Sequence, residues 1–316
     1  MVKKNPANKD LGSDGLQSSA PSASDFGVIE KINNCPRVPS LESINQTLGA
    51  LVNSENSFMA QIAEVISRDP SLTSRLLNLV NSVFFGLSYN QPVKSIEEAA
   101  FYVGLRQLEE LITSTPVIED FEDQFADIDI NWKQFWRHSI GTAILTREVL
   151  ASANVTWEDE SDYIAGLVHN IGKIVMALAF VDEFKFIAKK SVDTTFDVCR
   201  LEQSVLCWDH ARIGAYYLWQ YHLAPEVIES VQYHNDPKGA QQFPELAAAV
   251  QIADHMARSA GIDSIEKTAY VMPDSWPELD GWAILFKDED EEAQKDRINS
   301  LILTRDRIAT TLKGMV

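Results

Sequence analysis

Asp69-Pro70-Ser71-Leu72-Thr73-Ser74-Arg75-Leu76-Leu77-Asn78-Leu79-Val80-Asn81 reads as one amphipathic helix with its own start signal. Asp69 can accept from the free N–H groups of a first turn, and Pro70 suits that turn because it has no N–H to lose. Leu72, Leu76, Leu79 and Val80 fall at helical spacing on one face, and Phe84-Phe85-Gly86 then breaks the helix. The same period extends outward. Leu41 to Val52 and Phe58 to Ile66 carry similar stripes before it, and Ile96 to Ile112 after it, with Gly104 a potential break. Alternating β-branched runs of strand length are scarce, so the chain reads as all-α.

Residues 1–25 are rich in Ser, Asn, Asp and Gly and hold few large apolar groups, which predicts a disordered head. A first helical lobe is expected over 26–125. Residues 119–130 concentrate acidic charge between helical regions and suit a connector. An expected second lobe over 126–262 contains helices near 132–151, 161–180, 196–207, 210–222, 225–234 and 244–260. Residues 263–316 read as an acidic, Pro- and Gly-interrupted loop followed by a last helix ending near Lys313.

Composition narrows the function. A chain of 316 residues with 45% hydrophobic content can bury one large or two smaller cores. Its net charge of −19 opposes a phosphate-backbone footprint, which needs clustered Lys and Arg, so nucleic acid is not an expected partner. Three cysteines, Cys35, Cys199 and Cys207, form no CxxC pair, so a reducing, cytoplasmic setting is expected. The first residues lack a signal-peptide core, and the longest uncharged apolar run, Ile174 to Val181, is too short to cross a bilayer.

Polar residues on apolar stripes carry the chemistry. His138 shares a stripe with Phe135, Thr142, Leu145 and Val149, and Asp254 aligns with Ala247, Val250 and Ala257. His169 sits in a segment that is apolar nearly all round, with Lys173 one turn later on the same side. His210 follows Asp209 at a helix start, and His234 ends the Glu226 to Tyr233 helix. Singly, an inward His is most often a hydrogen-bonded core residue.

Together, in this order, these residues resemble the metal ladder of HD-superfamily phosphohydrolases, in which His and Asp from several helices hold divalent metal. The patches Pro39-Ser40-Leu41, Asp69-Pro70-Ser71-Leu72-Thr73, Asn81-Ser82-Val83-Phe84-Phe85-Gly86, Trp136-Arg137-His138-Ser139, Ala165-Gly166-Leu167-Val168-His169-Asn170-Ile171-Gly172-Lys173 and Asp209-His210 resemble the HDOD family more specifically. That resemblance implies a two-lobed helical bundle with an HD-like C-terminal lobe, acting as a bacterial signalling module. Such modules generally have incomplete metal sites. By position His138, His169, His210, His234 and Asp254 would be the surviving ligand equivalents, and Lys173 a phosphate contact.

The chain departs from an intact HD site at Asn170, where Asp is expected, and from the related HD-GYP pattern at Asn235, where a second His is usual. A carboxylate about 4 Å from a divalent ion contributes roughly 8 kcal/mol at an effective dielectric near 20, before desolvation. Losing even half of that weakens binding about a thousandfold. Two readings follow. One is a noncatalytic module, with no cofactor, that binds a protein partner or a small phosphorylated ligand. The other is a metal-dependent phosphohydrolase with a reduced site. Weak or adventitious Zn²⁺ or Ni²⁺ on the imidazoles is compatible with either.

Overall fold

The computed structural model describes residues 23–54, 58–85, 92–191, 197–265 and 272–313. Most of the expected disordered head, and Gly86, lie outside these. The first half of the chain supplies α1 (Ala23–Asn33), α2 (Glu42–Val52), α3 (Met59–Ile66), α4 (Pro70–Phe85) and α5 (Ile96–Thr113), and α6 (Trp132–Ser152) follows. Next come α7 (Ser161–Val168), α8 (Ile171–Ala179), α9 (Val181–Ser191), α10 (Val198–Leu206), α11 (His210–Gln220), α12 (Pro225–Tyr233), α13 (Pro244–Ser259), α14 (Asp280–Leu285) and α15 (Glu291–Leu312). Among the described residues there is no β-strand, only one isolated bridge between Ser40 and Val117. No described helix is long and apolar enough to cross a membrane.

Helices α2 to α5 pack on one another, as do α6, α7, α8, α11, α12 and α13, and α4 lies on α7. One continuous apolar core runs through both groups. Two carboxylates join them. Asp69, fully buried, accepts from Leu72 N (2.8 Å) at the start of α4, from Ser40 Oγ (2.6 Å) and from Trp136 Nε1 of α6 (2.8 Å). Burial raises its pKa against those hydrogen bonds. Glu160, just before α7, accepts from Ser95 Oγ (3.1 Å) and Ile96 N (2.9 Å) at the start of α5.

Several expectations change. Helix α1 begins at Ala23, inside the stretch assigned to the head, because Asp25 is tied to Trp208 Nε1 and lies beside Arg212. Leu79 is 36% exposed and stands off the buried face of α4. Gly104 does break α5, with φ 77 and ψ 163. The expected helix over 161–180 is two helices that part at His169-Asn170, and α9 follows them where no separate helix was expected. The expected loop after residue 263 contains a 3-10 helix, Pro273–Glu278, and α14. Trp276 and Trp282 are buried there, and Gly281 lies so close to α13 that a Cβ would stand 2.7 Å from Ala248 O.

Two other glycines set the spacing around the centre. A Cβ on Gly166 would meet Ala143 Cα at 2.7 Å, so α7 lies almost in backbone contact with α6. A Cβ on Gly172 would overlap His210 O, and Gly214 faces it on α11. Any side chain there must drive α8 and α11 apart. We expect Gly172→Ala to lose about 1–3 kcal/mol in urea unfolding. Gly49→Ala, with open space at its Cβ in helix α2, should be neutral or stabilising by up to about 1 kcal/mol.

Candidate functional site

The site is assembled from helix ends and two helix interiors, those of α6 and α13. His169 and His234 occupy equivalent places, each the C-cap residue of its helix, α7 or α12. Last-turn carbonyls lack an intrahelical donor. His169 Nδ1 therefore donates to Gly166 O (2.7 Å) and His234 Nδ1 to Val231 O (2.7 Å), each three residues back. His138, in the second turn of α6, donates from Nδ1 to Ile262 O (2.8 Å) beyond the end of α13. His210, first in α11 after the capping Asp209, donates from Nδ1 to Glu202 Oε2 (2.7 Å), which also accepts its backbone N–H (2.9 Å).

All four rings thus turn Nε2 toward one another. They form a row, His138, His169, His234, His210, with successive ring centroids 5.2, 5.2 and 5.4 Å apart. His138 and His169 Nε2 approach to 3.3 Å, and His210 and His234 Nε2 to 3.4 Å. Asp254 Oδ1 stands 3.0 Å from His138 Nε2 and 3.6 Å from His169 Nε2. All five expected ligand residues are at most 3% exposed, and Lys173 2%. Burial lowers the pKa of His169 to about 4, against the pull of Asp254, and puts that of His234 well below the ordinary value. Burial would raise the pKa of Asp254, but Arg258 and the facing imidazoles hold it well below the usual carboxylate range.

The two asparagines after the C-cap histidines fill matching positions. Asn170 Nδ2 donates to His169 Nε2 (2.8 Å) and reaches toward His138 Nε2 (3.4 Å) and Ser264 Oγ (3.4 Å). Asn235 Nδ2 stands 3.0 Å from His234 Nε2 and 3.3 Å from His210 Nε2. Each amide offers N–H to imidazole lone pairs. The opposite amide orientation would set oxygen against those lone pairs, so the tautomers fix it. Asn170 Oδ1 is buried without a hydrogen-bond partner among the described residues.

The donor set fits one imidazole-binding divalent ion in part. A ligand atom from each of His138, His169 and Asp254 lies within 4.8 Å of the others, and the Nδ1–H bonds orient the rings as outer partners of metal-bound histidines do. His138 Nε2 and Asp254 Oδ1 at 3.0 Å need a proton or a cation between them, since Nδ1 already carries the ring's other proton. Two features work against an ion. Asn170 brings no charge, and Arg258, one turn beyond Asp254, grips both carboxylate oxygens, with Nε to Oδ1 at 3.0 Å and Nη2 on Oδ2. Arg258 is the residue that the sequence reading missed, although an Asp and an Arg four apart in a helix are a recognisable pair.

The HDOD domain model matches residues 38–237. An uncharacterized protein of Treponema pallidum (strain Nichols) is 26% identical over 238 residues, which are 73% of this chain and 44% of that one. The chain therefore spans less than half the length of this relative. Among solved structures, the MmoQ response regulator of Methylococcus capsulatus str. Bath matches at TM-score 0.61 and 20% identity, over 85% of this chain and 98% of that one. An HDOD domain protein of unknown function from Geobacter sulfurreducens matches at TM-score 0.55 and 19% identity, over 92% and 97%. A virulence factor of Campylobacter jejuni subsp. jejuni matches at TM-score 0.64 and 16% identity, over 89% and 99%. At these identities the structures share the fold.

The lowered histidines have a consequence for stability. His169 and His255 hold pKa values of about 4 when folded, both through burial, whereas unfolded His titrates near 6.5. Between those values the unfolded chain takes up protons that the folded chain refuses. Stability is therefore complete above about pH 6.5 and is lost as pH falls toward 4, by about 3 kcal/mol for each ring. Urea midpoints measured at pH 7.5 and 4.5 should differ accordingly, and His169→Gln should shrink the difference.

Proposed function

The chain belongs to the HDOD domain family, and from that membership we propose that it is a noncatalytic bacterial signalling module that acts by binding a protein partner. The observation that carries this reading is the closure of its buried centre by the protein's own donors. Asn170 and Asn235 supply N–H to the inward imidazole edges, and Arg258 neutralises Asp254. A carboxylate already paired with a guanidinium has less electrostatic demand for a metal cation. The depth of Lys173 and of the histidines supports a protein partner over a small phosphorylated ligand, because a phosphate would have to displace packed helices to reach them.

A second reading keeps one specific observation on its side, the convergence of His138, His169 and Asp254. If these residues held a divalent ion, it would supply Lewis-acid polarisation of a phosphate ester. His138 and His169 would orient it through their Nδ1 hydrogen bonds, and Asp254 would have to be shared with Arg258.

Protein prepared without a histidine tag should show only background turnover on phosphodiester and nucleotide substrates with Mn²⁺, Mg²⁺ or Ni²⁺. Robust turnover that disappears in His169→Ala would overturn the noncatalytic reading. Asn170→Asp should tighten Ni²⁺ binding about a hundredfold, since a third of the roughly 8 kcal/mol attraction suffices for that. Unchanged affinity in titration calorimetry would mean that the three ligands do not act together.

A further inference from the structure

His210 has a second edge, and it faces a different group. A ligand atom from each of Cys199, Glu202 and His210 lies within 4.8 Å of the others. Cys199 and Glu202 are three residues apart on α10, so they share a face. Cys207, with φ 64, ends that helix in a left-handed turn, after which Trp208 and Asp209 lead into α11 and place His210 against Glu202. Glu202 is fully buried. Its Oε2 accepts both N–H groups of His210, but its Oε1 is buried with no hydrogen-bond partner among the described residues. An unmet buried carboxylate oxygen costs more than a neutral one, and it marks a place for a cation or donor.

The surrounding charge has the sign a cation needs. Burial and then the negative charge of Glu202, Asp209 and Asp197 push the Cys199 thiol up, against the ammonium of Lys173, so a bound cation is what would favour the thiolate. Cys199 itself is half-buried, so the group has a solvent edge. Thiolate, imidazole and carboxylate together select a soft divalent ion over Mg²⁺ or Ca²⁺.

We propose that Cys199 Sγ, Glu202 and His210 Nδ1 form a binding site for a soft divalent cation of the Zn²⁺ type, separate from the row of inward Nε2 atoms. The proton balance is explicit. The ion displaces the Cys199 proton to solvent and the Nδ1 proton of His210 to Nε2 of the same ring, so one proton is released for each ion bound. The relocated Nε2–H then points at His234 Nε2, 3.4 Å away, and turns an acceptor–acceptor contact into N–H···N. His234 Nε2 has one lone pair, so the relocated N–H shares it with the Asn235 amide, 3.0 Å away. With its proton there, His210 cannot also ligate from Nε2, so the outer site withdraws this residue from the inner row.

Co²⁺ titration of the reduced, untagged full chain tests this, because the inner row contains no sulfur. A near-ultraviolet thiolate-to-cobalt band should grow to one equivalent, with one proton released per ion in calorimetry across buffers of different ionisation enthalpy. Cys199→Ser should abolish the band and weaken Co²⁺ binding at least tenfold, with far-ultraviolet helicity unchanged. Cys207→Ser and Cys35→Ser should keep both band and affinity. No thiolate band in the unsubstituted chain overturns the proposal whatever the variants do. A band that survives Cys199→Ser assigns the sulfur elsewhere and overturns it equally.

Discussion

The Nδ1 hydrogens of His138, His169, His210 and His234 are donated to Ile262 O, Gly166 O, Glu202 Oε2 and Val231 O, and the rest of the centre follows from that commitment. A neutral imidazole has one proton. Once Nδ1 holds it, Nε2 is an acceptor, and four acceptors converging in an apolar interior must be met by a donor, a proton or a cation. The chain answers with two amides. Asn170 and Asn235 each follow a helix-ending histidine and each turn N–H toward a pair of rings. Substituting amide for carboxylate at such a position keeps the shape and reverses the role, from anionic ligand to neutral donor.

The convergence depends on backbone proximity that only glycine permits. Gly166 brings α7 onto α6, and Gly172 with Gly214 brings α8 onto α11, and with α12 and α13 these helices set the ligand residues within one ring's reach of their neighbours. The surrounding core is close-packed, and α8 is buried from Ile171 to Leu178. Rigid packing of this kind holds rings at fixed separations, and that fixity makes the 3.3 and 3.4 Å nitrogen contacts meaningful. Asp69 and Glu160 extend the same rigidity to the N-terminal helices by sharing carboxylate oxygens between the two groups.

Much of this was legible in the sequence, for definite reasons. A stripe such as Phe135, His138, Thr142, Leu145, Val149 reports which way a helix faces, so His138 and Asp254 were placed inward by periodicity alone, and all five expected ligand residues are buried. Asp209 announced the start of α11 by its capping chemistry, and its side chain does accept from Arg212 N. Periodicity fails where both faces are apolar. The break between α7 and α8 left no signature, because Ala165 to Ile174 is buried on every side of either arrangement. The stretch around Trp276 and Trp282 read as loop because prolines and glycine dominate its local signal, while the burial of two indoles against α13 decided its structure. Arg258 was missed for a related reason, since its guanidinium turns back one turn along the helix to Asp254 instead of toward solvent.

The two halves of the row are not equivalent, and the difference bears on any hydrolytic reading. His138 and His169 share Asp254, an anion on the inward side, although Arg258 already holds it. His210 and His234 have the Asn235 amide inward, and the carboxylate that touches them among the described residues, Glu202, lies behind His210 on its Nδ1 edge. A two-metal displacement needs bridging anions between its ions to offset their mutual repulsion. Here a second ion beside His210 and His234 would meet two neutral imidazoles and an amide, with Asp254 committed to the other half. The arrangement therefore favours at most one ion in the inner row, beside His138 and His169.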